Sequence, residues 1–184
     1  MTTIPVISHH TAADLPAADY DAWITGRAGE LIYARPMFHR FLAEAVGGTA
    51  RYLLASRAGQ LCGALCYFER VADKFGAVLN SLPWYGTHGG CVGVAQGDEA
   101  TRRALLAAYR ERATRVDVLA ATMILSPDEA QLASQYADAL GAHVTDARIG
   151  QWTALPAGDG ALDALPRVVT QKTRNVVNKS LKQG

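Results

Sequence analysis

The run Arg51-Tyr-Leu-Leu-Ala-Ser56, then Ala58-Gly-Gln60, Leu61-Cys-Gly-Ala-Leu-Cys-Tyr-Phe-Glu69 and, after a break at residues 72–75, Ala77-Val-Leu-Asn-Ser-Leu82, decides the fold. Its apolar stretches are short, hold aromatic residues and are bounded by turn-forming or charged residues, which is the pattern of strands rather than helices. Ala58-Gly59 and the neighbourhood of Asp73-Lys74 supply the turns. The segment is expected to form a three-strand antiparallel meander.

Working outward, Val6 to His9 reads as a short strand, and Asp19-Tyr-Asp-Ala-Trp23 opens a helix with acids in its first turn. Pro36 suits a first helical turn, and Phe38, Phe41, Leu42, Ala45 and Val46 follow at helical spacing until Gly47-Gly48 stops them. Downstream, residues 84–97 hold Gly86, Gly89, Gly90, Gly93 and Gly97 and read as a loop. A helix starts at Asp98-Glu99, Asp117 to Leu125 reads as a buried strand, and Ser126-Pro-Asp-Glu129 starts another helix that Gly141 ends. Val144 to Leu155 is expected to be a further strand. The fold class is α+β, a mixed, mainly antiparallel sheet flanked by helices.

The chain has 184 residues, 49% of them hydrophobic, with 18 Lys and Arg against 17 Asp and Glu and a mean hydropathy of +0.03. This describes a globular domain able to bury a good core, and excludes collagen, coiled coil and bulk disorder. No stretch approaches the roughly 18 apolar residues of a membrane span. The near-neutral total conceals a partition: residues 1–166 carry 13 basic and 17 acidic groups, whereas Arg167, Lys172, Arg174, Lys179 and Lys182 meet no acid in the last 18 residues. Three cysteines without a secretory signal point to a reducing cytoplasm. Cys62 and Cys66 lack the second ligand pair that a zinc site needs, and all three thiols are expected to be buried.

Two segments carry chemistry. The first is Asn80-Ser-Leu-Pro-Trp-Tyr-Gly-Thr-His-Gly-Gly90, whose glycines permit close backbone approach while Trp84, Tyr85 and His88 offer an apolar surface, a hydroxyl and an imidazole. Gly86 and Gly89 belong to the same candidate pocket, and Tyr33, Arg35 and His39 form a cluster that can meet it across a cleft. His39 or His88 can serve as a general base, because imidazole titrates near neutrality. The alternative is a tight loop whose aromatics close the edge of the core. The second segment runs from Thr170 to Gly184, with Val169, Val176, Val177 and Leu181 on one helical side and Lys172, Arg174, Lys179 and Lys182 on much of the rest. Such a basic amphipathic helix suits phosphates of a nucleotide-linked substrate or tRNA, a membrane surface, or plain solvent. No Gly-x-Ser-x-Gly, His-Glu-x-x-His or phosphate-binding Gly-x4-Gly-Lys-Ser/Thr sequence is present. No catalytic residue can be assigned from sequence, and no metal is expected.

The element order resembles that of GNAT-fold acyltransferases, and the two segments together resemble the FemAB-like branch, the Fem-family peptidyltransferases. Ser81 to Gly90 is similar to that group's Leu-Pro-aromatic-Tyr-Gly-Gly-like loop. Lys172 to Gly184 is similar to its Arg-Asn/Asp-x-Ile-Arg-Lys-Ala-x-x-x-Gly helix, with Val177, Asn178, Lys179 and Ser180 at the Ile-Arg-Lys-Ala positions. The resemblance implies a GNAT-like N-terminal domain over 1–166 and a basic helix over 167–184 leading towards a second GNAT-like domain absent from this chain. It implies transfer of an acyl or aminoacyl group to an amine in cell-envelope or sugar-nucleotide metabolism, with a small-molecule or peptidoglycan-precursor acceptor. The donor would be acyl-CoA or aminoacyl-tRNA, with no tightly bound cofactor. Tyr85 would help hold the acceptor, and Lys172 and Arg174 would contact a tRNA or nucleotide phosphate. Tyr85-Gly-Thr-His-Gly-Gly90 departs from the superfamily's acetyl-CoA loop, which has Arg or Gln, two variable residues, Gly, one variable residue and Gly or Ala, and this speaks against direct acetyl-CoA binding. A single-domain acetyl-CoA-dependent N-acetyltransferase and a non-catalytic GNAT-like binding domain are the alternatives.

Overall fold

Among the described residues six strands build one sheet, in the order β1-β2-β3-β4-β6 with β5 also against β3. They are β1 Val6–Thr11, β2 Thr49–Arg57, β3 Gln60–Val71, β4 Ala77–Asn80, β5 Cys91–Val92 and β6 Val118–Thr122. The computed structural model describes residues 4–27, 32–81, 88–147 and 169–183. The chain divides into two compact units, residues 1–145 and 146–184, of which the first holds the sheet.

The meander expected from sequence is β2-β3-β4, paired antiparallel throughout. Ala58 (φ 48°) and Gly59 (φ 79°) are both left-handed and form the two-residue turn between Arg57 and its partner Gln60. That turn geometry matches the twist of the strands it joins. One residue of β3 is extra: Ala55 pairs with Gly63 and Ser56 with Leu61, leaving Cys62 unpaired in a bulge. The bulge brings Cys62 and Gly63 to one face, where Cys62 packs beneath the third helix and a Cβ on Gly63 would stand 2.7 Å from Val94 and 2.8 Å from Thr101. Cys66 packs on the opposite face. Cys66 and Cys91 are buried as expected, but Cys62 is only half-buried, because the bulge displaces it from the regular alternation.

Helices cover both faces, which is why β2 and β3 read as nearly continuous apolar runs. On one face α1 Ala17–Ile24 and α2 Pro36–Val46 contribute Tyr20, Ile24 and Leu42 to a core with Tyr52, Leu54, Ala64, Cys66 and Phe68. On the other, α3 Glu99–Ala113 and α4 Ala133–Leu140 lay Leu105, Leu106, Tyr109 and Tyr136 on Leu53, Leu65, Tyr67 and Leu79. Local signals set these helices. Pro36 lies in the first turn of α2, Ser126 caps the 3₁₀ turn Pro127–Leu132 that leads into α4, and Gly141 ends α4 in the left-handed conformation.

β6 is not the buried strand its apolar composition suggests. It pairs with β4 alone among the described residues, and Leu119 to Thr122 are exposed, Leu119 by 65%. Val144 to Ala147 form no strand, and the remainder of the strand expected up to Leu155 lies outside the described residues. In the second unit the basic segment is helical, α5 Gln171–Gln183, as its periodicity predicts.

The loop expected over 84–97 contains a strand, β5. β4 pairs with Phe68–Val71 of β3, and β5 then takes the next places along the same edge, opposite Leu65 and Ala64. β4 and β5 are therefore one line of backbone interrupted between Asn80 and Cys91.

The bulge separates the three thiols in reactivity. Burial pushes the Cys66 and Cys91 thiols up to about 12, so their thiolate population near neutrality is negligible. Disulfide-exchange titration of the native protein near pH 8 is expected to show one reactive thiol, which Cys62→Ser removes, with the other two reacting only after denaturation. Two or more thiols reacting at once in the native state contradict this packing.

Candidate functional site

The interruption of β4–β5 falls where the parallel pair β4 and β6 ends. The carboxyl ends of parallel strands are where open sheets leave room for ligands. Beyond β4, Ser81 N–H donates to Thr122 O at 2.9 Å, and Ile124 N–H donates to Ser81 Oγ at 3.3 Å. The chain returns at Gly89, whose N–H donates to Ile124 O at 2.6 Å and which bridges to Leu125 in parallel sense. A Cβ on Gly89 would stand 2.1 Å from the Ser81 carbonyl oxygen, so only glycine permits this approach.

Around this seam lies a chain of polar groups. Cys91 N–H donates to the Tyr136 hydroxyl at 3.2 Å, and that hydroxyl donates to Glu129 Oε1 at 3.4 Å. Gly90 (φ 101°) passes between them and the sheet; a Cβ there would meet Glu129 Oε2 at 3.2 Å and the Tyr136 hydroxyl at 3.4 Å. Burial raises the Glu129 carboxyl above its ordinary range, opposed by the Arg102 charge and the Tyr136 hydrogen bond. Burial likewise lowers His88, against the pull of Asp128. In both groups burial disfavours the charged form.

The start of α3 is closed by the protein's own charge. Asp98 accepts from Thr101 N–H at 3.1 Å and Thr101 Oγ1 at 2.7 Å, and takes both arms of the Arg57 guanidinium at 2.6 and 2.7 Å. The Arg57 bonds hold this carboxyl well below the usual range. An acyl-CoA pyrophosphate binds where a helix start offers free N–H groups. Here a carboxylate stands in that place, so these residues do not fit the group there.

The sequence candidates separate. Gly89 is buried in the seam and His88 adjoins it, half-buried. Trp84, Tyr85 and Gly86 lie outside the described residues. Tyr33, Arg35 and His39 come together, but in support of the core rather than as an open wall. His39 is 1% exposed. Its Nε2–H donates to Tyr33 O at 2.7 Å, so Nδ1 is bare and accepts from the Tyr52 hydroxyl at 2.7 Å. Burial depresses the imidazole to about 4, which leaves it neutral and corrects the expectation that it faces a cleft as a free base. The Tyr33 ring meets Phe38 edge-on, and Arg35 faces Asp21 at 3.6 Å. Lys172 and Arg174 lie on α5, where Arg174 bonds Gln171 Oε1 and Val169 O within its own unit. Among the described residues no group of three or more His, Cys, Asp or Glu is placed to hold a metal ion.

Glu129, Tyr136 and Arg102 were not singled out from sequence. Arg102 had a visible signal: it stands three, four and seven residues before Leu105, Leu106 and Tyr109, on the buried stripe of α3, where an apolar residue is expected. Glu129 and Tyr136 gave none, since a carboxylate in a first turn and a tyrosine in an amphipathic helix are ordinary.

No protein-family model matches the sequence, and no curated protein matches it. Solved structures do. A ribosomal-protein-alanine N-acetyltransferase from Brucella melitensis biovar Abortus 2308 superposes with a TM-score of 0.52 at 11% identity, covering 82% of this chain and 100% of that one. An aminoglycoside acetyltransferase from an uncultured soil metagenomic sample gives a TM-score of 0.49 at 10% identity, over 83% and 97% of the two chains. The fold of this chain is therefore that of the GNAT acetyltransferases, α+β with a mostly antiparallel mixed sheet flanked by helices.

Because the His39 imidazole is held below its ordinary value of 6.5, the unfolded chain takes up a proton that the folded chain refuses. The stability linked to His39 is full above pH 6.5, falls as the pH drops through 6.5 to about 4, and is lost below that, by about 3 kcal/mol in all. Denaturant unfolding across this window is expected to show His39→Gln losing about that much less stability than the wild type. Equal losses in the two proteins contradict the buried, neutral imidazole.

Proposed function

We propose that this chain carries an N-acyltransferase site at the interruption of β4–β5, moving an acyl or aminoacyl group to an amine. The observation that carries the reading is the Cys91–Tyr136–Glu129 chain at the carboxyl ends of the parallel pair. The acceptor amine attacks the carbonyl carbon of an activated ester or thioester and its proton passes to Glu129; as the bond to the leaving oxygen or sulfur breaks, Glu129 returns that proton to it, giving the amide and a free hydroxyl or thiol. A half-buried carboxylate whose affinity for protons has been raised by burial suits the base, provided the amine is held within hydrogen-bond reach. Tyr136 is a positioning residue: pinned by the Cys91 N–H, it orients the Glu129 carboxyl.

The two sequence motifs support a FemAB-like branch and an acceptor in cell-envelope or sugar-nucleotide metabolism, with Trp84, Tyr85 and Gly86 suited by residue type to contact it. The carboxylate at the start of α3 favours a donor that rests no pyrophosphate there. An aminoacyl-tRNA ester meets that condition, and Lys172 and Arg174 are the phosphate contacts on this reading.

The test is acyl transfer to a panel of primary amines from acetyl-CoA and, separately, from charged tRNA. Amine-dependent deacylation is expected, reduced about a hundredfold or more by Glu129→Gln. Tyr136→Phe should shift the pH–rate profile and lower kcat less than Glu129→Gln does. Absence of amine-dependent transfer from either donor, or full activity in Glu129→Gln, overturns the proposal.

A further inference from the structure

Arg102 is 8% exposed, and its Nε is fully buried without an acceptor. Its guanidinium makes no hydrogen bond and no ion pair among the described residues. A buried N–H left without an acceptor is costly, while the terminal guanidinium nitrogens, which are not buried, remain open to a partner. The neighbouring acids are engaged elsewhere. Asp98 is held by Arg57 and Thr101, Glu99 faces Arg103 at 3.3 Å, and Glu129 accepts from Tyr136. The Arg102 charge reaches Glu129 and Cys91 electrostatically, but it lies beyond ion-pair distance of Glu129.

Arg102 lines a cleft of about 620 Å³ between α3 and α4, together with Glu99, Leu106, Gln135, Asp138 and Ala139. We propose that this cleft is a binding site for a zwitterionic amino acid, whose carboxylate takes the Arg102 fork and whose ammonium group faces Asp138. A carboxylate matches the planar pair of donors that a guanidinium presents. A polyanion is disfavoured, because Glu99 and Asp138 also line the cleft and its other cation, Arg103, is paired with Glu99. Leu106 and Ala139 supply an apolar wall for a side chain. The binding does not depend on the acyl-transfer reading, and it explains why an arginine occupies the buried stripe of α3.

Calorimetric titration of the full chain with each of the twenty L-amino acids, acetate, methylamine and inorganic pyrophosphate tests it without any activity readout. At least one L-amino acid is expected to bind saturably at one site per chain, about tenfold or more tighter than acetate or methylamine, with pyrophosphate no tighter than acetate. Arg102→Met should lose that binding while the unliganded protein melts at an equal or higher temperature, since a buried N–H without an acceptor has been replaced by an apolar side chain of similar volume. If Arg102→Met fails to fold, Arg102→Lys decides, with an expected loss of about tenfold or more in affinity because an ammonium cannot make the paired bonds. Saturable binding by no amino acid, tighter binding of pyrophosphate than of any amino acid, or affinity retained within about threefold in the variant that folds would overturn the proposal.

Discussion

The first unit depends on one interrupted line of backbone. β4 and β5 occupy successive places along the same edge of β3, and the chain leaves that line after Asn80 and rejoins it at Cys91. The return succeeds because Gly89 has no Cβ and can lie against the Ser81 carbonyl while its N–H reaches Ile124 O. Everything assigned to the site follows from that approach. It ends the regular β4–β6 pairing, brings His88 and Gly90 to the seam, and sets Cys91 N–H beneath the Tyr136 hydroxyl.

Polar groups inside the two cores show how the rest of the unit tolerates this local irregularity. On one face Tyr20, His39, Tyr52 and Cys66 satisfy one another and the Ala34 and Tyr33 carbonyls, so a core rich in heteroatoms carries no free imidazole nitrogen. On the other, Glu69 of β3 is shared by Arg51 of β2 and Arg112 of α3, and Arg112 also reaches Asp117 just before β6. At the opposite end of α3, Arg57 holds Asp98. Both ends of α3 are thus pinned to the sheet by guanidinium–carboxylate pairs. Between them Arg102 lacks such a partner, and this contrast makes it an exception that invites a ligand.

Much of this architecture was legible in the residues. The meander, the Ala58-Gly59 turn, the starts of α2 and α3 and the end of α4 all follow from local chemistry that tertiary context did not override. What was not legible depends on contacts between distant segments. Cys91-Val92 is too short to announce a strand, and becomes one only because β3 offers an unpaired edge. The apolar composition of Val118–Thr122 reads as burial, whereas its exposure depends on what packs against it from elsewhere in the chain. His39 looked like a candidate base because sequence cannot show that Tyr33 and Tyr52 take both of its nitrogens. Gly89 and His88 lie at the seam, and the close backbone approach at Gly89 is what a glycine cluster signals; Glu129 comes from the 3₁₀ turn and Tyr136 from α4, distant in sequence.

The fold of the GNAT acetyltransferases is here combined with a start of α3 that carries its own anion, and the proposed site lies on the polar chain at the seam. Both features rest on the returning segment being locked between β4 and β6. Amide hydrogen exchange at Gly89 measures that lock directly. Its N–H is expected to exchange as slowly as the core amides of β3, opening only with global unfolding. Exchange at the rate of an unprotected loop amide would mean that the seam is open in solution, and would contradict the site built upon it.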